Sequence, residues 1–223
     1  MSDGTTLGFE QAFGVLRQFT RSRSAASRAL EHCEFCVAAL HHDHPHLVEI
    51  AKRQIICVCD ACALLFDGLE NSKYKRVSRS SQYMPNFEMT DGQWESLMIP
   101  INMAFLFRSS LENKIVALYP SPAGAVESLL LLDAWAEIEA HNPSLHQLKP
   151  DIEALLVNRV GHAHGLRDAE YYIAPIDECY KLVGLIRTNW KGLSGGTEVW
   201  NEVGRFFTEL RSKSEVVRGR ANA

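Results

Sequence analysis

The sequence predicts an α+β protein in which a small cysteine-rich module precedes a larger mixed domain. Five of the six cysteines fall between Cys33 and Cys62, where two C-x-x-C pairs flank a β-prone segment. Residues 94–213 alternate β-rich runs with amphipathic helical patterns. An apolar stripe at helical spacing in residues 7–31 adds an N-terminal helix. The expected architecture is therefore a helix, a zinc-ribbon or treble-clef-like module, and a mixed α/β domain.

Composition and charge exclude several classes of function. The net charge of −4 gives no general attraction to nucleic acid, so we do not expect nucleic acid as a partner. No stretch approaches the about 20 apolar residues that a membrane span needs. Residues 1–4 do not begin a secretory signal. We therefore expect a cytoplasmic protein, in which thiols stay reduced and clustered cysteines favour a metal ion.

The N-terminal segment, residues 1–31, carries the predicted helix. Phe9, Phe13 and Leu16 recur on one side of it. Packing against the rest of the chain is the simpler interpretation. The alternative is an amphipathic helix that inserts these three side chains into a groove of a protein partner.

The cysteine module is predicted to span residues 32–70. Leu47–Ile50 and Gln54–Cys57 are β-prone runs separated by a short polar turn, which indicates a hairpin. Residues 61–69 then read as a short helix. A hairpin between two cysteine turns is typical of a zinc ribbon, and the helix favours a treble clef with the second cysteine pair on its first turn.

Four of the cysteines are the predicted metal ligands. Two cysteines three positions apart can both point inward from one tight turn, and two such pairs can surround one tetrahedral ion. Zn²⁺ is the expected metal because four thiolates suit a closed structural zinc site. The predicted ligands are Cys33, Cys36, Cys59 and Cys62.

Several alternatives remain open for the metal. Cys57 points to the same side as Cys59 if the strand continues through both, so it can replace Cys59 or lie beside the site. Among the histidines that crowd residues 41–46, His46 is the best candidate for an additional ligand. Iron in place of zinc, or a metal-free set of redox-active thiols, would make the module a redox centre.

The remaining residues divide into a connector and a larger domain. Residues 71–93 are polar and basic with turn signals, which indicates a connector between modules. The mixed domain, residues 94–213, contains strands near 102–108, 114–119 and 171–174. Asp177 is expected to cap the helix that follows the last of these strands. Residues 214–223 are predicted to be a flexible tail.

No nucleophile and base can be paired from spacing alone, so the chain is not expected to be an enzyme. Residues 119–125 follow a strand with small residues but lack a phosphate-binding pattern. His162 and His164 alternate like metal ligands but have no third ligand nearby in sequence. Cys179 lies in an apolar helical stripe and reads as a buried hydrophobic residue. A pocket near Ser121 and Arg187 would favour a small-molecule enzyme instead.

Several stretches of the chain carry a family resemblance. They are Cys33–Cys36, His46–Val48, Cys57–Phe66, Tyr119–Ala125, Glu153–Arg159, Pro175–Asp177 and Leu182–Arg187 through Trp200. In these stretches the chain resembles a bacterial family of unknown function whose genes often lie beside those of uptake nickel–iron hydrogenases. The family usually has Gly after the first C-x-x-C, where this chain has Val37. The resemblance implies a metal-binding accessory protein for hydrogenase assembly or electron transfer, with a hydrogenase subunit or maturation factor as partner, and it assigns no catalytic residue.

Overall fold

The computed structural model describes residues 31–67, 72–128, 132–161, 165 and 168–217. Phe9, Phe13 and Leu16, with the predicted N-terminal helix, lie outside the described residues, as do His162 and His164. Residues from His32 onward belong to one unit. That unit holds a three-stranded sheet and a seven-stranded sheet together with helices, which makes it a mixed α+β protein.

The smaller sheet is built from the predicted hairpin and one further strand. Strands β1 (His46–Glu49) and β2 (Gln54–Cys57) pair antiparallel, and helix α1 (Asp60–Phe66) follows. Strand β3 (Tyr74–Arg76) pairs antiparallel with the other edge of β1. The strand order is therefore β2-β1-β3.

The larger sheet is built from seven strands. In chain order they are β4 (Gln82–Tyr83), β5 (Met103–Ser109), β6 (Lys114–Ser121), β7 (Gly124–Glu127), β8 (Glu153–Asn158), β9 (Glu170–Pro175) and β10 (Glu215–Val216). Their order in the sheet is β10-β4-β9-β8-β5-β6-β7, and only the β10-β4 pair is parallel. The helical segments that connect these strands are α2 (Asp91–Ser96), α3 (Leu132–His141), a 3-10 turn (Pro143–Gln147), α4 (Ile176–Asn189) and α5 (Gly196–Lys213).

The central strands of this sheet are buried on both faces. In β5, Phe105 joins one apolar cluster with α4 and α5, while its neighbour Leu106 joins a second cluster with α2 and α3. Leu156 and Leu155 of β8 divide between the clusters in the same way. This follows from the period-two alternation of a strand, which sends successive side chains to opposite faces. The sheet is therefore the middle layer between two layers of helices.

Two segments contribute more structure than the sequence predicts. The predicted connector, residues 71–93, supplies β3 to the small sheet and β4 to the large one. The predicted tail, residues 214–223, begins with β10, which pairs with β4. Strands of two or three residues are too short to show a recognisable pattern in the sequence. They are ordered by hydrogen bonds to the neighbouring strands. The domain boundaries themselves stay a prediction.

The small sheet shares the core of the large one. Val48 of β1 and Val77, just after β3, are buried in the apolar cluster formed with α4 and α5. Arg53, in the hairpin turn, is ion-paired with Glu112 and Glu127 near the ends of β5 and β7. The cysteine-rich sheet is thereby fixed to the domain by apolar and charged contacts.

The first turn of α4 differs from the sequence prediction. The helix begins at Ile176 with Pro175 as its N-cap residue and has no side-chain cap, so the expected capping role of Asp177 is wrong. The side chain of Asp177 accepts a hydrogen bond from its neighbour's amide and contacts His46. No helix in the described ranges is long and apolar enough to cross a membrane.

Candidate metal centre

The first cysteine pair lies in a tight turn. The amide of Cys33 donates to the carbonyl of Ala38, and the amide of Val37 donates to the carbonyl of Cys33, both at 2.8 Å. Val37 adopts a left-handed backbone conformation with φ of 62°. This is the conformation that glycine adopts most readily, and it lets the chain reverse directly after Cys36. A valine therefore holds a position whose backbone conformation suits glycine better.

The second pair lies at the start of α1. Cys59 is the N-cap residue of this helix, and its Sγ accepts the amide of Cys62 at 3.5 Å. The second cysteine pair therefore lies on the first turn of a helix, as the sequence predicts. Phe66, at the end of α1, packs its ring 4.5 Å from the ring of Phe35, between the first two cysteines. This contact joins the helix to the first turn.

The four sulfurs converge on one point. The Sγ atoms of Cys33, Cys36, Cys59 and Cys62 all lie within 4.8 Å of one another. The Sγ atoms of Cys36 and Cys59 are 3.6 Å apart, which is too long for a disulfide. Four sulfurs held about 2.3 Å from a tetrahedral ion would be about 3.8 Å apart. The distance between Cys36 and Cys59 is close to this value, and the four sulfurs lie near enough to one another to bind a metal ion.

The environments of the thiols favour a cation between them. Burial disfavours the thiolate of Cys33, but hydrogen bonds from backbone amides, first that of Cys59, outweigh it and lower its pKa to about 6. Burial and the neighbouring thiols raise the pKa of Cys62 to about 12. The Ala38 amide favours the thiolate of Cys36, yet the adjacent thiols outweigh it and raise this pKa as well. One thiolate forms easily and opposes the ionisation of the others, because like charges repel unless a cation neutralises them.

The two residues predicted as less certain ligands lie outside this cluster. Cys57 and His46 instead group with His44, and one ligand atom from each of the three lies within 4.8 Å of the others. Sequence reasoning missed this arrangement. The signal available was the alternation of His44 with His46 in front of a hairpin whose other strand carries Cys57. Whether Cys59 and not Cys57 is the ligand in the four-cysteine cluster stays a prediction.

The other candidate positions are structural. Ser121 closes the turn between β6 and β7, because its hydroxyl accepts the amide of Ala123 and donates to the carbonyl of Gly124. Cys179 is fully buried in the core, and burial raises the pKa of its thiol. A small pocket between β1 and α4 is lined by residues that include Val48 and Tyr180, and its lining includes neither Ser121 nor Arg187.

Comparison with known proteins identifies a family but no characterised relative. No curated protein and no solved structure matches the chain. A protein-family model described as a family of unknown function (DUF5947) matches residues 32–214, which is well over half of the chain and includes the four clustered cysteines. The chain therefore belongs to this family of unknown function.

Proposed function

We propose that this protein is a zinc-binding, non-catalytic accessory or scaffold protein that binds a protein partner. The observation that carries the proposal is the convergence of Cys33, Cys36, Cys59 and Cys62 within 4.8 Å. Four thiolates fill every position of a tetrahedral ion, so no position is left for a substrate. A closed site of this kind is typical of zinc that holds a fold together.

The proposed role of the zinc is to stabilise a zinc-ribbon or treble-clef-like module. The apolar cluster at the module is small, and Cys33 and Cys62 are themselves members of it. A cluster of this size supplies little folding free energy. Structural zinc contributes on the order of 10–16 kcal/mol in small metal-binding domains, so the ion would order both cysteine turns.

The proposed partner is a protein. Leu64 and Leu65 of α1 are both more than 60% exposed, next to the metal cluster. Adjacent exposed leucines favour contact with another protein surface. The predicted stripe of Phe9, Phe13 and Leu16 is the second candidate contact. The resemblance to proteins encoded beside uptake nickel–iron hydrogenases makes a hydrogenase subunit or maturation factor the first partner to test.

Two measurements test this proposal. Elemental analysis of the purified full-length chain should give at least one zinc per chain and little iron, and Cys59→Ser should lose the tightly held ion. Affinity purification from native cells with mass spectrometry should recover one partner in fixed proportion. A protein that converts a small molecule unaided would contradict the non-catalytic role.

A redox role is the second candidate function, and it rests on the same sulfurs. Iron held by four thiolates would carry one electron, and its potential would depend on hydrogen bonds to sulfur such as that from the amide of Cys62 to Cys59. An absorption spectrum separates the two functions. Zinc–thiolate protein is colourless in the visible range, whereas ferric–thiolate protein is red.

A further inference from the structure

A second group of metal-ligating side chains lies on one side of the β1-β2 hairpin. His46 and Cys57 are directly opposite each other in the antiparallel register of these strands. Directly opposite residues have their Cβ atoms about 4.5–5.5 Å apart and point to the same face. His44 precedes His46 by two positions, and the two imidazole rings are 4.8 Å apart. The hairpin thus brings two imidazoles and a thiol within 4.8 Å of one another.

Hydrogen bonds determine which ring nitrogen of each histidine can bind a metal. Nδ1 of His44 is 2.8 Å from the carbonyl oxygen of His41, and Nδ1 of His46 is 2.7 Å from a carboxylate oxygen of Asp177. Both oxygens are acceptors, so each Nδ1 carries the proton and donates it. The neutral imidazole then has its lone pair on Nε2, which is the form that binds a metal ion.

Asp177 has the position of a residue that orients a metal ligand. A metal-binding histidine usually donates its other ring N–H to a carboxylate or carbonyl, which fixes the ring and makes the ligand more basic. The same carboxylate is held by the amide of Glu178, which donates to its other oxygen at 2.8 Å. The thiol is positioned as well, because the amide of Cys57 donates to the carboxylate of Glu34 at 2.8 Å. All three ligands are therefore held by contacts outside the group.

We propose that His44, His46 and Cys57 form a second metal site, separate from the four-cysteine cluster, that binds a divalent ion such as Zn²⁺. Two imidazoles and one thiolate suit zinc in both type and number. Three protein ligands leave one tetrahedral position open for water or for a ligand from a partner. All three residues are half-exposed as a whole, whereas the four-cysteine cluster includes the buried Cys33 and Cys62, so the second ion should exchange more readily than the first. The four-cysteine cluster would hold its zinc permanently, and this second site would exchange it.

Zinc stoichiometry tests the proposal directly. The full-length chain is titrated with Zn²⁺ in competition with a chromophoric chelator. The wild-type chain should bind two ions, one tightly and one more weakly, and His44→Ala should lose only the weaker one.

His146→Ala is the matched control, since this histidine also lies near a carboxylate, that of Glu139, but is outside both clusters. The His146→Ala chain should bind two ions, as the wild type does. A wild-type chain that binds one ion, or a His44→Ala chain that still binds two, overturns the proposal.

Asp177→Asn tests the positioning residue. It should leave the tight site unchanged and raise the Kd of the weaker site by about 10–100-fold, the usual effect of removing such a partner of a ligating histidine. A Kd equal to that of the wild type would show that Asp177 only ties β1 to α4.

Alkylation of the wild-type chain gives a result that depends on no variant. Protein loaded with one equivalent of Zn²⁺ is treated with iodoacetamide, and the labelled peptides are identified by mass spectrometry. Cys57 should be labelled, and a second equivalent of Zn²⁺ should protect it. Equal labelling of Cys57 with one and two equivalents would contradict the second site. The proposed structural role of the first zinc would stand in that case, because Cys59→Ser tests it separately.

Discussion

Val37 holds a conformation that is unfavourable for a β-branched residue. Its φ of 62° lies in the left-handed region, and its side chain is 72% exposed. The left-handed conformation costs an L-residue other than glycine roughly 1–2 kcal/mol. Exposure means that little packing offsets this cost. The first cysteine turn therefore forms in spite of Val37.

Val37→Gly should stabilise the zinc-loaded protein. Relief of the left-handed strain stabilises the folded state by more than the added flexibility of the unfolded chain destabilises it, so the free energy of unfolding should rise by about 1 kcal/mol. Chemical denaturation of the zinc-loaded chain measures this free energy. Val216→Gly is the matched control: it replaces an exposed valine in a strand, where glycine should destabilise. A loss of stability in Val37→Gly would mean that the valine side chain makes contacts that matter.

Zinc binding to the four-cysteine cluster should release protons. Near pH 7 the thiol of Cys62, with a pKa of about 12, is protonated, and so is Cys36, whose pKa is raised above its usual value. Cys33, with a pKa of about 6, is already mostly ionised. Each ion bound must therefore displace at least two protons, and zinc affinity should rise at least about a hundredfold per pH unit between pH 6.5 and 8. Titration of His44→Ala at several pH values isolates this site, and an affinity independent of pH would contradict the argument.

The two neighbouring thiols Cys57 and Cys59 should behave differently when replaced. Cys59→Ser should lose the tightly bound zinc and destabilise the module, because Cys59 supplies one of the four converging sulfurs, whereas a serine can still serve as the N-cap of α1. Cys57→Ser should keep that ion and lose only the weaker one. Elemental analysis after dialysis against a mild chelator, together with thermal unfolding, measures both effects. The reverse pattern would place Cys57 in the four-thiolate site.

Sequence spacing goes far in predicting which side chains meet, but only over short distances. Cys33, Cys36, Cys59 and Cys62 lie close together, which the short spacing within each C-x-x-C pair favours, and their role as ligands stays a prediction. The meeting of His46 with Asp177 could not be predicted in this way, since 131 positions separate them. Their contact depends on how β1 packs against α4, which no local pattern encodes.

The predictability of helices and strands follows the length of their pattern. The β1-β2 hairpin, β5 and β6 have enough residues to show a period, and the sequence predicts each of them. Strand β8 is different, because all six of its residues are buried. A strand buried on both faces lacks the alternation of apolar and polar residues that distinguishes strands from helices. Strands β3, β4 and β10 are too short to show any period.

The start of α5 depends on two adjacent glycines with positive φ, Gly195 and Gly196. Gly195 is its N-cap residue with φ of 85°, and a Cβ added there would lie 2.8 Å from Cγ1 of the buried Val199. Gly195→Ala should therefore lower the free energy of unfolding by roughly 2 kcal/mol through backbone strain and crowding. Gly204→Ala, inside the same helix with nothing within 4 Å of the added Cβ, should raise it by about 0.5–1 kcal/mol. Urea denaturation compares the two, and equal effects would contradict the assigned role of Gly195.

The cysteine-rich sheet and the large sheet depend on each other for burial. Val48 and Val77 belong to the main apolar cluster, and Lys75 of β3 is ion-paired with the buried Asp151 before β8. The four clustered cysteines lie in a turn and a helix that flank this sheet, and the sheet is held by the large domain, so the proposed metal sites would be presented rigidly. Such an arrangement suits a protein that shapes a surface for a partner. Strands β3 and β4 also show that a polar segment can be ordered by the strands on either side of it.

Deleting residues 1–31 should separate folding from partner binding. The chain from His32 onward contains both sheets, the apolar clusters and the two groups of metal ligands, so the truncated protein should keep its zinc and its cooperative thermal unfolding. If Phe9, Phe13 and Leu16 insert into a partner groove, the truncated protein should lose the partner that the full-length chain recovers from native cells. The triple variant Phe9→Ala, Phe13→Ala and Leu16→Ala is the matched control at full length, and it should lose the partner as well. A complex that survives both changes would remove the N-terminal segment as the contact and leave the exposed Leu64 and Leu65 of α1 as the surface to substitute next.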